Sequence, residues 1–385
     1  MVRHSSRIEL SQSALTKNIN FIRKKIGREP RISSVVKANA YGHGIMEFVK
    51  MAEKAGVDHF AVASAFEAEE VLEAKSSRSS VMIMGILYDE DFEWAVSNDI
   101  EIYVFNYDRL EQLRNVAIKL SKKAKIHLEV ETGSNRTGVP RSDFSKCLTY
   151  LKKNKDALEF TGLCTHFGGA ESFSNHFKIQ KQHDRYKEML RECKRKKYLP
   201  VYRHIACSGA ALAYKDTVYD MVRIGVTQYG FWPGPDIYYH HLQEVGKRSD
   251  KPLQRIITWK TDVMDVRDVL EGEFIGYGTA YQATQHMKIA VMPLGYSNGY
   301  PRAQSNRGFV LIHGKKAPIT GLINMNLFMV DVTHIPETRV GDEVVLVGRQ
   351  KNNSINISSF TQVTQLLNNE MLSRLPAAIP RKIVK

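Results

Sequence analysis

Cysteine, long apolar runs and internal repetition are all scarce in this sequence of 385 residues. The four cysteines are irregularly spaced and form no C-x-x-C pair, which argues against a disulfide framework or a zinc site, so we expect no metal. No apolar run reaches the roughly 18 residues of a membrane span, so we expect no membrane partner. The first residues also lack an apolar segment of signal-peptide length, which predicts a cytoplasmic protein.

Acidic residues are too few to balance the basic ones, which gives a formal net charge of +14. A strongly basic chain can bind nucleic acid, but here the basic residues are scattered, as at 122–125 and 194–197. They lack the interleaved aromatic residues and the motifs of nucleic-acid modules. We therefore predict solvated helix faces and no nucleic-acid partner, although a positive field would help to attract an anionic cofactor.

Short apolar runs alternate with segments of helical period through the first 235 residues. This alternation predicts an N-terminal (β/α)8 TIM barrel over residues 1–235. Residues 236–385 are richer in Val, Ile and glycine turns, which predicts a C-terminal mostly-β domain, and the first strand of the chain could pack on that domain. The apolar runs of the barrel are residues 32–37, 59–64, 80–85, 101–106, 125–132, 159–167, 202–208 and 221–226.

A lysine ends the first of these runs, in the string Val-Val-Lys-Ala-Asn-Ala-Tyr-Gly-His-Gly over residues 35–44. We expect Lys37 to be partly desolvated, so that it needs a partner or loses its proton, and such a lysine is a candidate Schiff-base former. A lysine that merely extends to solvent is the plainer alternative. Active sites of barrels collect at the ends of the strands. Four polar residues lie at or just after the ends of later runs, namely Arg136, His166, Ser208 and Arg223.

Each of these four residues has an ordinary alternative as an ion-pair partner, a loop histidine or a turn serine. The string around Lys37, however, resembles the pyridoxal-phosphate signature of the alanine racemase family. Such a cofactor, a phosphorylated pyridine aldehyde, needs this combination of a lysine, groups that bind phosphate and a charge at the ring nitrogen. In that family the lysine binds the cofactor covalently and the tyrosine, here Tyr41, binds its phosphate. The resemblance places Ser208 and the backbone of Gly225 and Val226 at the same phosphate.

The resemblance also places Arg223 at the pyridine nitrogen of the cofactor. An arginine keeps its proton, so the ring nitrogen stays unprotonated and the ring withdraws electrons less strongly, which disfavours side reactions such as transamination. Racemisation needs one acid–base group on each face of the α-carbon. The resemblance assigns these roles to Lys37 and Tyr277, with His166 and Arg223 supplying the positive charge that a tyrosine base requires. In the family this tyrosine serves the other subunit, which implies a homodimer with shared active sites.

Further matches to the family concern the substrate, which the resemblance implies to be a small amino acid. Arg136 and the backbone of Met325 would bind its carboxylate, and Tyr296 would lie at the entrance. Glu129 stands where most relatives have a lysine, often carbamylated, and it could supply the same negative charge directly. We therefore predict no carbamate. Three other positions depart from the family pattern. Cys207 lies where relatives often have Asn, and Asn326 where they often have Asp. Ala377 lies where many have a tyrosine that touches the phosphate and narrows the pocket.

Three functions agree with these residues. The first is an alanine racemase that supplies D-alanine for peptidoglycan. The second is a racemase of the same fold with a broader or different substrate range, such as serine, lysine or arginine, because Ala377 would free volume in the pocket. The third is a non-catalytic pyridoxal-phosphate-binding protein, against which the whole second domain argues. A fold-related decarboxylase would pair the ring nitrogen with an acid instead of Arg223.

Overall fold

The computed structural model describes residues 4–385, and its first half alternates strands with helices. Among the helices of these residues, none combines the length and the apolar character that a membrane crossing requires. The strands are β1 (Ser6–Ser11), β2 (Arg31–Val35), β3 (His59–Val62), β4 (Ser80–Ile83), β5 (Glu101–Val104), β6 (Ala124–Glu129), β7 (Leu158–Cys164), β8 (Tyr202–His204), β9 (Met221–Ile224), β10 (Ile257–Asp262), β11 (Asp265–Val269), β12 (Met287–Met292), β13 (Phe309–Ile312), β14 (Lys315–Thr320), β15 (Phe328–Asp331), β16 (Glu343–Gln350), β17 (Asn353–Ile355) and β18 (Arg381–Val384).

The helices begin where the sequence supplies suitable caps. Ser64 and Asn106 accept the backbone N–H of Glu67 and Arg109, and each is the residue before a helix. The helices are α1 (Gln12–Ile26), α2 (Lys37–Tyr41), α3 (Ile45–Lys54), α4 (Ala65–Ala74), α5 (Phe92–Ser97), α6 (Tyr107–Lys119), α7 (Arg141–Lys153), α8 (His176–Arg195), α9 (Ser208–Ala213), α10 (Pro235–Val245), α11 (Ile357–Thr364) and α12 (Asn368–Ser373).

Strands β2 to β9 form one eight-stranded parallel sheet, in the order β8-β7-β6-β5-β4-β3-β2-β9. An isolated parallel bridge between Cys207 and Arg223 then brings β9 beside the segment that follows β8, so the sheet is a nearly closed barrel. Strands such as β3 and β5 are buried along their whole length, as expected of parallel strands with helices outside and side chains inside. The predicted TIM barrel is confirmed.

The barrel belongs to a compact unit that comprises Ser13–Ala38 and Phe48–Gln254. The change in composition along the sequence predicts a domain boundary after residue 235, whereas this unit continues through α10 to Gln254. The buried amide of Asn18 explains the difference, because it donates to the carbonyl of Gln254 at 2.8 Å and accepts its N–H at 2.8 Å. The last residues before the boundary are therefore bound to α1.

The second compact unit contains residues 4–12, Asn39–Glu47 and Arg255–Lys385. Its sheet has the order β11-β12-β15-β14-β13-β16-β10-β1-β18, with β17 paired to β16. Strand β1 runs antiparallel to β10 and parallel to β18, so the first and the last strand are neighbours in this sheet. The predicted mostly-β domain is confirmed by this sheet.

Candidate active site

Lys37 follows the first barrel strand, and the next four residues adopt a conformation that is rare for residues with side chains. Their φ angles lie between 52° and 54°, so residues 38–41 form a left-handed turn. Such a turn costs roughly 1 to 2 kcal/mol per residue. Strain of this kind persists only where the surroundings fix it, and it is common at functional sites. The side chain of Lys37 is exposed, so the expected desolvation of its ammonium is wrong.

His43 stabilises this left-handed turn. Its Nδ1 lies 3.0 Å from the carbonyl oxygens of both Ala40 and Tyr41, and only an N–H at Nδ1 can donate to them. Burial lowers the pKa of His43 to about 4, so the ring is neutral at neutral pH. The amide oxygen of Asn39 accepts the N–H of Ile45 at 3.0 Å and closes the turn at its other end.

Gly42 continues the same loop, and no other residue would fit there. Its φ is +78°, and a Cβ atom would lie 1.9 Å from the carbonyl oxygen of Leu372. The guanidinium of Arg381 donates to the carbonyl of Gly42 at 3.0 Å and to that of Ala377 at 2.7 Å. Ala377 therefore belongs to a turn that Arg381 binds to the loop of Tyr41.

Positive charge is concentrated at the carboxyl ends of the barrel strands. Burial, together with the charges of three positive side chains, lowers the pKa of His166 to about 3. They belong to Arg223, Arg136 and Lys37. The structure thus brings together four of the residues that the sequence singled out. His166 is neutral among the three cations, so it does not supply the positive charge that was expected of it.

Glu129 is the last residue of β6 and is only 5% exposed. Burial raises the pKa of its carboxyl group, while a hydrogen bond from Thr137 and the charges of Arg223 and Arg136 oppose that shift. Glu129 is therefore within electrostatic reach of both arginines. Such proximity is needed if Glu129 supplies the negative charge that a carbamylated lysine supplies in relatives. Whether it replaces a carbamate stays a prediction.

The loop that carries Arg136 is shaped by Glu131. One carboxylate oxygen accepts the N–H of Ser134 at 2.7 Å and also that of Gly133, and the other accepts the N–H of Asn135 at 2.9 Å. Asn135 has a φ of 52° and is directly followed by Arg136, whose side chain is exposed. Arg136 is thus presented to solvent by an ordered turn.

Arg223 is almost completely buried in β9, with 5% of its surface exposed. Its Nη1 donates to Nδ1 of His204 at 2.6 Å and to the carbonyl of the same residue at 2.8 Å. Its Nη2 donates to the carbonyl of Thr165 at 2.7 Å. Both terminal nitrogens are therefore bound inside the barrel, and the Nε–H is the donor that these bonds leave for another group.

Hydroxyl groups meet backbone N–H groups where β8 and β9 end. The Oγ of Ser208 is buried at the start of α9 and accepts the N–H of Gly225 at 3.0 Å. Val226 is partly exposed, and the next residue, Thr227, is completely buried. The Thr227 hydroxyl has no hydrogen-bond partner within residues 4–385. This corner has the composition of a phosphate site, which a barrel commonly forms after its last two strands.

Tyr277 lies in the β unit, in a loop between strands β11 and β12. Its side chain is 76% exposed, and its neighbours Gly276 and Gly278 have φ angles of 83° and 72°. The loop is closed by a hydrogen bond from the N–H of Ile275 to the carbonyl of Tyr281 at 3.0 Å. A large aromatic side chain is therefore exposed on a well-defined loop.

Tyr296 and Met325 lie on two adjacent loops of the same unit. The N–H of Tyr296 donates to the carbonyl of Asn324 at 3.0 Å, and that of Ser297 donates to the carbonyl of Met325 at 3.0 Å. Asn326 adds a bond from its amide to the Ser297 hydroxyl at 2.9 Å. The side chains of Tyr296 and Met325 are 41% and 55% exposed.

Sequence reasoning missed several residues that shape these loops. His43 lies in the string around Lys37 and Glu131 in the apolar run at 125–132, but only their contacts show what they do. Glu67 accepts the N–H of Ala38 at 2.6 Å and that of Ala63 at 2.8 Å, so it binds the residue after Lys37 to the next strand's end. Its one sequence signal is the Ser-x-x-Glu pattern at the start of α4.

The fold and the polar residues at the carboxyl ends of the barrel strands define a class of protein. It is a barrel enzyme with a lysine, arginines and a phosphate-type corner at the strand ends, and with a β domain that presents aromatic loops. Family models agree: residues 10–233 match "Alanine racemase, N-terminal domain" and residues 256–383 match "Alanine racemase, C-terminal domain". The chain belongs to the alanine racemase family, which confirms the resemblance inferred from the lysine string.

Individual relatives are similar over almost the whole chain. The alanine racemase of Halothermothrix orenii is 33% identical over 97% of this chain and 95% of its own length. The structure of alanine racemase from Clostridium difficile 630 has a TM-score of 0.90 at 27% identity, covering 100% of this chain and 97% of that one. Alanine racemase from Bacillus anthracis, crystallised with bound L-Ala-P, has a TM-score of 0.88 at 26% identity, with 100% and 96% covered.

Proposed function

We propose that this chain is a racemase that interconverts L- and D-alanine with pyridoxal 5'-phosphate as its cofactor. The observation that carries the proposal is the cluster at the barrel's strand ends. There Lys37, Arg136 and Arg223 all lie within electrostatic reach of His166. Membership of the alanine racemase family supplies the reaction, and this cluster supplies residues of the types that the reaction requires.

The described residues fit the cofactor at two points. The corner around Ser208 and Gly225 offers hydroxyl and N–H groups, and the buried Thr227 hydroxyl still lacks a partner among the described residues. At the other point, Arg223 retains its Nε–H for a ring nitrogen after its terminal nitrogens have bound the barrel. We assign Lys37 to the covalent link. The residues assigned to the phosphate are Tyr41, Ser208, Gly225 and Val226.

The cofactor, when bound, withdraws electrons from the substrate's α-carbon and so makes its proton acidic. In our proposal Lys37 Nζ exchanges that proton on one face, and Tyr277 Oη exchanges it on the other. Arg136 binds the substrate carboxylate through its guanidinium. Arg223 keeps its own proton, so it leaves the ring nitrogen unprotonated and limits transamination.

We further propose that the active site is shared between two copies of the chain in a homodimer. Tyr277, Tyr296 and Met325 are all exposed on loops of the β unit, and large apolar side chains with so much free surface suit an interface with a second copy. Tyr277 would then serve the partner's Lys37. The Met325 N–H would bind the carboxylate of the substrate there, and Tyr296 would line the entrance.

A racemase with a broader substrate range is the second candidate, and Ala377 favours it. The turn of Ala377 is bound by Arg381 to the loop of Tyr41, so a small residue here leaves room beside the predicted phosphate ligand. For the first candidate, D-alanine would serve peptidoglycan synthesis. A cytoplasmic location stays a prediction from the sequence.

A substrate panel tests the reaction and separates the two candidates. The cofactor-loaded protein is incubated with single L-amino acids, and the products are resolved by chiral chromatography. We expect D-alanine to form fastest. Faster turnover of serine, lysine or arginine would replace the first candidate by the second, and no epimerisation of any amino acid would contradict both.

Two variants test the assigned bases. Lys37→Ala is expected to lose the visible absorption of the covalently bound cofactor together with the activity. Tyr277→Phe is expected to keep that absorption and to lose racemisation by about 100-fold or more, since general acid–base groups contribute about that much. Full activity of Tyr277→Phe would show that the second base is another residue.

A further inference from the structure

A continuous set of hydrogen bonds crosses the interior of the barrel behind Arg223. His204 Nδ1 lies 2.6 Å from Nη1 of Arg223, and His204 Nε2 lies 2.8 Å from Nδ1 of His127. His127 Nε2 lies 2.7 Å from a carboxylate oxygen of Glu101. The same oxygen lies 3.0 Å from Nε2 of His59. We call Arg223, His204, His127 and Glu101 the buried series; none of them is more than 5% exposed.

The arginine at one end fixes the direction of every bond in the buried series. A guanidinium only donates, so Nδ1 of His204 must accept and its proton must be on Nε2. That proton is donated to Nδ1 of His127, whose own proton must then be on Nε2. The last donor meets the carboxylate of Glu101, which only accepts when it is ionised. Both histidines are therefore held in a single neutral tautomer.

The electrostatics of the buried series agree with this assignment. Burial and the charge of Arg223 lower the pKa of His204 well below its ordinary value. Burial also lowers the pKa of His127. For Glu101, burial alone would raise the pKa, but the interactions with His59 and His127 outweigh it and lower the pKa well below the ordinary value. Neutral rings thus join an ionised acceptor to a permanent cation.

The barrel is built to hold these side chains. A Cβ atom at Gly162 in β7 would lie 2.1 Å from Nδ1 of His127 and 2.8 Å from Nε2 of His204, so only glycine leaves room for their contact. The pairing of β6 with β7 also shifts register between Ile126 and His127. No set of three or more His, Cys, Asp or Glu side chains in residues 4–385 is arranged to hold a metal ion, so a metal site does not explain the group.

We propose that Glu101 is a positioning residue of the racemase: by accepting at the end of the buried series it fixes the tautomers of His127 and His204, and so holds Arg223 in place at the cofactor ring. The inference rests on the proposed function, because the ring nitrogen is the group that Arg223 would meet. Glu101 itself would touch neither cofactor nor substrate. A buried charge is costly, and apolar side chains would fill a barrel core at less cost in stability. A positioning role for Glu101 would explain why a charged residue is present there despite this cost in stability.

The physical consequence is that removing the acceptor frees the tautomers. His127 can then move its proton to Nδ1, His204 no longer has an acceptor for its Nε2 proton, and its own Nδ1 can become a donor that repels Arg223. Displacement of Arg223 would leave the ring nitrogen free to take a proton. The cofactor's absorption and its tendency to transaminate should both change.

Glu101→Met tests this proposal in the cofactor-loaded enzyme, with Glu101→Gln as the conservative variant that retains an acceptor oxygen. For Glu101→Met we expect an altered absorption band of the bound cofactor or an altered pH dependence of that band. We expect kcat for alanine to fall about 10-fold at nearly unchanged KM, because misplacing a contact distant from the chemistry has effects of this order or larger. Pyruvate formed per racemisation event should rise. Glu101→Gln should restore most of each property.

Ser33→Ala is the matched control. Ser33 is buried in the same barrel and bonds His59 at 2.9 Å, on the side of Glu101 that leads away from Arg223. It should behave as wild type in all three readouts. If Glu101→Met does not fold, His127→Met interrupts the same series and takes its place. Circular dichroism establishes which variants are folded.

Two results would overturn the proposal: a wild-type spectrum and wild-type pyruvate ratio in the folded Glu101→Met or His127→Met enzyme, or equal changes in Ser33→Ala. Failure of the proposed function would give a different result: the wild-type chain itself would not bind pyridoxal phosphate, or it would epimerise no amino acid.

Discussion

The imidazole of His43 donates its Nδ1–H to the left-handed turn after Lys37, and the ring is neutral there because a charged ring in a fully buried site is costly. Its pKa falls from 6.5 to about 4 on folding. As the pH drops below about 6.5, the unfolded chain takes up this proton before the folded chain does. The contribution of His43 to stability is therefore lost between pH 6.5 and about 4.

His43→Gln tests this pH dependence, because a glutamine amide can donate to the same carbonyls and does not titrate. We expect the free energy of unfolding of the wild type to fall more steeply over this window, by roughly 3 kcal/mol in total relative to the variant. Urea unfolding at a series of pH values measures the difference. Parallel curves for the two proteins would contradict the assignment of a neutral His43.

Glu129 allows a second prediction at the residue scale. If its carboxylate supplies the charge beside Arg136, no active-site lysine needs a carbamate, and a mass measurement of the native protein should find none. Glu129→Gln keeps the shape but removes the charge, so we expect the KM for alanine to rise about 10-fold, in line with the loss of one charge-assisted contact. Detection of a carbamate, or an unchanged KM, would speak against this role.

Residues with a distinctive local string could be predicted, whereas residues that act through distant contacts could not. Lys37 stands in a ten-residue string, and Arg223 follows from the order of the strands. His43, in the same string, gave no sign of its bonds to the turn. Glu101 reads as one acidic residue in an apolar run, and its partners are 42 and 26 positions away in His59 and His127. Only the closed barrel brings these side chains together.

At the scale of elements, every predicted barrel strand ends later than the observed one. The run at 125–132 becomes β6, which ends at Glu129, and the run at 202–208 becomes β8, which ends at His204. Apolar character continues past the last strand hydrogen bond because the residues that follow, such as Val130 and Ile205, are still buried. Hydrophobic pattern therefore locates a strand well and its end poorly, and the ends are where site residues such as Lys37, His166 and Ser208 lie.

Strand β7 carries the next prediction, through its glycine. Gly162→Ala places a Cβ between His127 and His204, which would have to move apart. Overpacking of a core costs about 1 to 3 kcal/mol, so we expect a loss of stability of that size in thermal or urea unfolding. If the buried series also positions Arg223, the folded variant should show an altered cofactor spectrum.

Gly27 provides the control for that variant. It directly follows α1, and no atom lies within 4 Å of a Cβ placed there. Its φ of +86° makes Gly27→Ala strained, so it should lose stability without any change in the cofactor's absorption. An identical spectral change in both variants would show that the spectrum reports stability and not the contact of the two histidines.

At the scale of the whole molecule, the two family domains divide the proposed chemistry. Lys37 and Arg223 belong to the barrel unit, and Tyr277 belongs to the β unit with 76% of its side chain exposed. An exposed base cannot by itself exclude water from a reaction that depends on moving one proton. A second copy of the chain would cover it, which is why the homodimer and the two-base mechanism form one proposal.

Mixing two inactive variants tests that proposal directly. In a head-to-tail dimer of Lys37→Ala with Tyr277→Phe, one site carries both substitutions and the other carries none. Random exchange of equal amounts makes about half of the dimers mixed, so activity should return to about a quarter of the wild-type value per total protein. The subunits are exchanged by dilution and reconcentration with cofactor, and D-alanine is measured by chiral chromatography. Each variant treated alone is the control. If Lys37 and Tyr277 of the same chain served one site, every site in the mixture would lack one base, and no activity would return.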